Sequence, residues 1–310
     1  MQQVPANVYH IGFTFVDTRS MFRLVSSLAL SLLLTTPVLA SDHQSAIDQW
    51  CTALGKRLRS VTEETCNKQA FRPAEVQTAR ENALMLRDVP PAIKRISQSG
   101  KAPDKATRIL VIGGIHGDEL TSAALVFRWL QWIDEPEPTR YHWRMIPVAN
   151  PDGMLASPPT RVNGNGVDLN RNFPTPDWVR DAHDYWAGRT KSDPRRFPGK
   201  EANSEIETKW LNDEIDHFGP DVIVSIHAPY GILDYDGPAK EPNRFGRLNL
   251  NRLGVYPGSL GNYGGVYKNV PVITIELPHA SSMPSTKEQR AIWLDMLRWI
   301  KQHIVPRAIS

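Results

Sequence analysis

Arg108-Ile-Leu-Val-Ile112 runs into Gly113-Gly-Ile-His116-Gly-Asp-Glu119, and an apolar-periodic stretch follows directly. Four consecutive apolar residues after Arg108, ending at Gly113-Gly114, read as a short buried strand. From Glu119 to Trp132 the apolar residues Leu120, Ala123, Ala124, Phe127 and Leu130 fall on one face at helical spacing, so a helix is predicted there. The same alternation recurs along the chain. Strands are predicted at His142–Val148, Asp221–Ile226 and Val270–Leu277, and helices at Ser204–Phe218 and Lys287–Ile304. Strands alternating with helices predict an α/β sheet covered on both faces. The second strand ends at the turn signal Asn150-Pro-Asp-Gly153.

Outside this frame the signals thin. Ala46, Ile47, Trp50, Leu54 and Leu58 give residues 41–70 a helical period, whereas 71–106 shows no clear pattern. Residues 154–203 are rich in Pro, Gly and Asn and read as loop, a length that inside a globular domain usually signals function. Residues 228–265 read as loops and helical pieces. The expected organisation is therefore 1–40 as leader, 41–106 as a short helical N-terminal extension packed on the next part, and 107–310 as the main α/β domain.

The chain has 310 residues, 41% of them hydrophobic, which is enough to bury a large core. A formal net charge of +3, with no Lys/Arg run interleaved with aromatics, argues against a nucleic-acid partner. Met21-Phe-Arg23 precedes an apolar run from Leu24 to Leu34, and Val38-Leu-Ala40 supplies small residues at the −3 and −1 positions. This is the pattern of a secretory signal cleaved after Ala40, with translation starting at Met21. The run falls short of the roughly 20 apolar residues of a comfortable transmembrane helix, although an uncleaved anchor stays open as the alternative. Export predicts a periplasmic or secreted protein, with no stable membrane insertion after cleavage. It also predicts that the two cysteines, Cys51 and Cys66, pair.

Three predicted strands lead to residues with metal and acid–base chemistry. His116 and Glu119 follow the first, His227 closes the third, and Glu276 lies near the end of the fourth. Ligands of open α/β sheets bind at the carboxyl ends of the strands, so these residues can converge. Two His and one carboxylate leave a fourth position open, the arrangement of a catalytic rather than a structural zinc. Taken singly, His116 and Glu119 read equally as a helix-start pair, and His227 as a hydrogen-bonded strand-end residue. Glu276 between Ile275 and Leu277 is costly to bury unless paired or functional.

The middle of the chain adds Arg161 and Gly166-Val-Asp168-Leu-Asn170-Arg171-Asn172-Phe173, then Phe197-Pro-Gly-Lys-Glu-Ala-Asn-Ser-Glu205. With His116-Gly-Asp-Glu119, Asn150-Pro-Asp-Gly153, Ser225-Ile-His227 and Thr274-Ile-Glu276, these segments resemble the zinc carboxypeptidase family, in the family's order and over about residues 107–300. More narrowly they resemble its bacterial murein peptide amidases. The resemblance implies a single mixed-sheet domain and one Zn2+ held by His116, Glu119 and His227, though the same ligands do not exclude another divalent metal. It implies Glu276 as general base, Arg161 as oxyanion stabiliser, and Asn170 and Arg171 as the grip on a substrate carboxylate. Asp168 is expected to orient His116. Tyr263 is a weaker candidate for the aromatic that caps the substrate, because the sequence around it departs from the digestive enzymes. The implied partner is a peptide, with a peptidoglycan-derived one favoured and cut between γ-D-glutamate and meso-diaminopimelate. The alternatives are an N-acyl amino acid deacylase and a non-catalytic module that binds peptidoglycan peptides.

Overall fold

The computed structural model describes residues 36–92, 106–135 and 140–306. It divides into the compact units Met1–Gln44 and Ser45–Ser310. Of the first, only the opening turns of helix α1 (Thr36–Arg57) are described, and everything below concerns the second. The expected start at Met21 and the apolar run Leu24–Leu34 lie outside the described residues, and the expected cleavage site after Ala40 falls within α1. No described helix is long and apolar enough to cross a membrane.

After α1 come α2 (Glu63–Asn67), the hairpin β1 (Arg72–Gln77) and β2 (Ala83–Val89), β3 (Arg108–Ile112), α3 (Leu120–Ile133), β4 (His142–Ile146) and α4 (Pro151–Leu155). A long irregular stretch then carries a 3-10 turn at Leu169–Arg171, helix α5 (Trp178–Arg189) and a second 3-10 turn at Pro194–Arg196. The chain continues through α6 (Ile206–Phe218), β5 (Val222–His227), β6 (Ile232–Asp236), β7 (Arg244–Phe245), β8 (Leu248–Asn249), a π-helical turn at Gly261–Tyr267, β9 (Val272–Glu276) and α7 (Thr286–His303).

Seven strands form one mixed sheet in the order β1-β2-β4-β3-β5-β9-β6. The four central strands are parallel, and β2 and β6 pair antiparallel to them on either side. The β3 sequence shows why both faces are covered. Ile109 and Val111 enter the core beneath α3 and α7, while Leu110 and Ile112 enter the one beneath α6. A stretch whose alternate residues both find apolar cores must itself be apolar, which is how residues 109–112 of β3 and 222–224 of β5 read. Trp129 and Trp293, with ring centroids 5.0 Å apart, tie α3 to α7.

The structure corrects the expected organisation in one respect. Residues 72–89 are not part of a helical extension; β2 pairs with β4 and makes the hairpin an edge of the catalytic sheet. Only α1 and α2 match the helical reading. The Cys51–Cys66 disulfide joins them, and Trp50 packs on Phe71 and Phe127 at centroid distances of 5.2 and 6.1 Å.

The chain leaves β3 to build β4 on one side and later returns to build β5 on the other. Connections diverging from neighbouring parallel strands open a crevice beyond their carboxyl ends. That crevice is the site.

Candidate active site

His227 is the last residue of β5 and faces Glu276, the last of β9, in parallel register. His116 lies beyond β3 and Glu119 at the entry of α3. Gly117 between them must be glycine, since any Cβ would run into the backbone of Gly153. That contact seats the histidine loop on the Asn150–Gly153 turn. Asn150 caps the turn by accepting from the Gly153 N–H at 2.8 Å and donates from Nδ2 to the Arg161 carbonyl at 3.1 Å. The turn motif thereby fixes where Arg161 begins.

His116, Glu119 and His227 are buried, with one ligand atom from each lying within 4.8 Å of the others. The two Nδ1 atoms are 3.1 Å apart, and Glu119 approaches them at 2.8 and 3.1 Å. Two ring nitrogens and a carboxylate at these spacings fit around one ion with bonds of about 2.0–2.2 Å. The other ring nitrogens are engaged: His116 Nε2 lies 3.2 Å from Asp168 and His227 Nε2 lies 2.9 Å from the Ser225 hydroxyl. Such outer contacts fix the ring orientation of metal-binding histidines. The electrostatics also favour a cation. Burial and Arg161 oppose protonation of His116, yet Glu119 and Asp168 raise its pKa above the ordinary value. Two facing ring nitrogens and a carboxylate suit zinc.

Asp168 is fully buried. Burial alone would raise its pKa, but Arg161 and His116 hold the carboxylate well below the usual range. Arg161 donates to Asp168 at 3.0 Å and reaches Glu119 at 3.5 Å, so its guanidinium is pinned beside the ligand set.

Arg171 is only 7% exposed, and its Nε has no partner. One Nη donates to the Asn170 carbonyl at 2.6 Å, and the guanidinium lies over the Tyr256 ring at 4.6 Å. Burial lowers its pKa despite Asp168 nearby. A buried cation with an unused donor is poised for an anion. Asn170 turns its carbonyl oxygen away to accept from the Leu260 N–H at 2.8 Å, which leaves its amide N–H groups for the cleft. Gly258 makes the close packing possible, because a Cβ there would strike the Arg171 carbonyl. Glu276 is buried, its Oε2 has no partner, and burial raises its pKa above the ordinary value.

These groups line one cleft of about 400 Å³: His116, Glu119, Arg161, Asn170, Arg171, His227 and Glu276 are brought together, with Asp168 behind them. Tyr263 is not in the cleft. It is 3% exposed and stacked on Phe173 at 5.5 Å, a core residue of the π-helical turn. Tyr230 and Tyr256 form the aromatic wall instead.

Sequence reasoning missed the part of the cleft wall formed by Asp234 and Asp236 of β6. Asp234 accepts from the N–H groups of Tyr235 and Leu253 at 2.9 and 3.1 Å. Burial, helped by Asp234, pushes the Asp236 carboxyl up to about 6. The spacing of two residues within Ile-Leu-Asp-Tyr-Asp was the available signal, since alternate strand residues share a face. Arg195 and Asp118 at the mouth were missed as well.

Residues 88–236 match the zinc carboxypeptidase family. Murein peptide amidase A of Escherichia coli K12 is 31% identical over 198 residues, covering 61% of this chain and 79% of that protein. The crystal structure of the murein-tripeptide amidase MpaA of Escherichia coli O157 superposes with a TM-score of 0.50 at 25% identity, covering 72% of this chain and 89% of the other. Carboxypeptidase A of Helicoverpa armigera shares the fold, with a TM-score of 0.54 at 17% identity over 74% of this chain and 68% of its own.

Proposed function

The chain belongs to the zinc carboxypeptidase family of metallopeptidases, and from that premise we propose that it hydrolyses the amide bond between γ-D-glutamate and meso-diaminopimelate in murein peptides. The observation that carries the reading is Arg171, a buried guanidinium with an unpartnered Nε beside the outward-turned amide of Asn170. The pair suits a substrate whose leaving amino acid keeps a free carboxylate. Two carboxyl groups in the cleft wall support the finer choice. Asp234 and Asp236 suit an ammonium group on the side chain of that amino acid, and diaminopimelate carries one. The relatives named murein peptide amidase agree with this.

Zinc held by His116, Glu119 and His227 supplies Lewis acidity, polarising a carbonyl and acidifying water. Around it the side chains divide the work. Asn170 and Arg171 fix the leaving residue by its carboxylate, and orientation of this kind is a large part of a hydrolase's advantage. Glu276, with its free oxygen, takes a proton from the attacking water and delivers it to the departing amine. Arg161, locked by Asp168, holds positive charge where the scissile oxygen becomes negative. The leader reading at 21–40 fits the same proposal, because the cell wall lies beyond the inner membrane and periplasmic export brings enzyme and substrate together.

The test is an end-point digest of the murein tripeptide and of plain C-terminal L-peptides, resolved by mass spectrometry. Release of diaminopimelate, lost in Glu276→Gln and with chelator, is the expected result. Cleavage of the plain peptides alone would overturn the substrate assignment and leave the chemistry standing.

A further inference from the structure

At the mouth of the cleft stands an arginine that the chemistry above does not use. Arg195 lines the cleft and pairs through Nη2 with Asp118 at 2.8 Å. Asp118 sits in sequence between the metal ligands His116 and Glu119. The pair is open to solvent, with Arg195 60% and Asp118 24% exposed. Exposed pairs of this kind are weak and easily exchanged for a competing anion.

The turn that presents Arg195 is nevertheless built firmly. Asp193 caps it by accepting from the Arg195 N–H at 2.9 Å, Pro194 starts it, and Trp186 donates its indole N–H to the Asp193 carbonyl at 2.8 Å. Phe197, at its end, accepts from the Asp168 N–H at 2.8 Å, so the turn is fastened to the loop behind the metal ligands. A long, exposed cation on an anchored base beside the reacting centre is suited to bind.

What it faces follows from the direction of the substrate. The buried part of the lining, with Asp234 4% and Arg171 7% exposed, takes the leaving amino acid, so the acyl side of the scissile bond is left to the exposed part of the lining, where Arg195 stands. A γ-linked glutamyl residue offers there what an ordinary acyl residue lacks: a free α-carboxylate, separated from the scissile carbonyl by the three carbons Cγ, Cβ and Cα. We infer that Arg195 exchanges Asp118 for that α-carboxylate and so selects γ-linked acidic acyl groups over ordinary peptides. The inference rests on the murein reading above and extends it to the other side of the bond.

The experiment compares two tripeptides, L-Ala-γ-D-Glu-meso-diaminopimelate and the same molecule with its glutamyl α-carboxylate converted to the amide. Each is assayed with the zinc-loaded parent and with Arg195→Gln, and the readout is the ratio of kcat/KM for acid over amide. A charge-assisted hydrogen bond at an exposed mouth predicts a ratio of about tenfold in the parent that falls toward one in the variant. An unchanged ratio in the variant, including equal loss on both substrates from a structural defect, overturns the inference and leaves the murein assignment intact. If the parent cleaves neither tripeptide, the murein assignment itself falls, and this selectivity with it.

Discussion

Glu207 offers a perturbation whose size can be worked out from its surroundings. It lies in the first turn of α6, 1% exposed, with Oε2 accepting from Asn163 Nδ2 at 3.2 Å and Oε1 without a partner. The same amide donates to Glu205 at 2.8 Å, so two carboxyl groups crowd around one amide group. Burial pushes the Glu207 carboxyl from its ordinary 4.5 up to about 7, and Asp152 and Glu205 add to the effect, against Asn163 and the backbone. The folded state therefore keeps a proton that the unfolded chain releases between pH 4.5 and about 7. Stability from this group is fully present below pH 4.5, declines through that window and is lost above it. At about 1.4 kcal/mol per pH unit, the loss amounts to about 3 kcal/mol. Glu207→Gln keeps an oxygen for Asn163 and cannot ionise, so it escapes the loss. Denaturant unfolding of parent and variant at pH 4.5 and pH 8.5, both zinc-saturated and with the disulfide intact, isolates the effect, because other titrations are common to the two proteins. The variant should gain on the parent by up to about 3 kcal/mol between these pH values. A stability difference that does not open as pH rises would refute the reasoning.

Further outcomes follow from the site and the N-terminal helices. His227→Ala should reduce zinc from one ion per chain to a small fraction, measured by atomic emission after dialysis, and activity should fall with it. Joint replacement of Cys51 and Cys66 by Ser should lower stability by about 3 kcal/mol, read by thermal and denaturant unfolding, since the bridge closes a loop with a sequence separation of 15. Asp236, pushed up to about 6, is neutral below that pH and charged above it. Preference for a cationic over a neutral side chain on the leaving residue should therefore rise through about pH 6, and Asp236→Asn should flatten the kcat/KM ratio across that range.

The fold was legible where burial is two-sided. β3, β5 and β9 are mostly apolar because both faces are covered, and their boundaries were read to within a residue or two. The hairpin β1–β2 escaped because β1 is a half-exposed edge containing Pro73, and its sequence Arg-Pro-Ala-Glu-Val-Gln carries little apolar signal. Helix α5 was read as loop for a similar reason. It buries only Trp178 and Ala182, so it has no apolar stripe to detect. Tyr263 misled because only its place in the chain, relative to the capping tyrosine of the digestive enzymes, recommends it, whereas the π-helical turn buries it against Phe173.

The site was legible through residues whose chemistry is confined to strand ends, and illegible where function overrode strand propensity. His116, His227 and Glu276 stand where central strands stop, so a correct strand reading nearly locates them. β6 is the opposite case. Aspartate disfavours strands, and two of them in five residues hid the element. Yet an aspartate 4% exposed in a sheet is expensive unless it serves a partner, and Asp234 and Asp236 both line the cleft. Asp234 is satisfied in part by two backbone N–H groups, which leaves Asp236 as the group whose burial a cationic side chain would relieve. The feature that concealed the strand is thus the one that argues for its use.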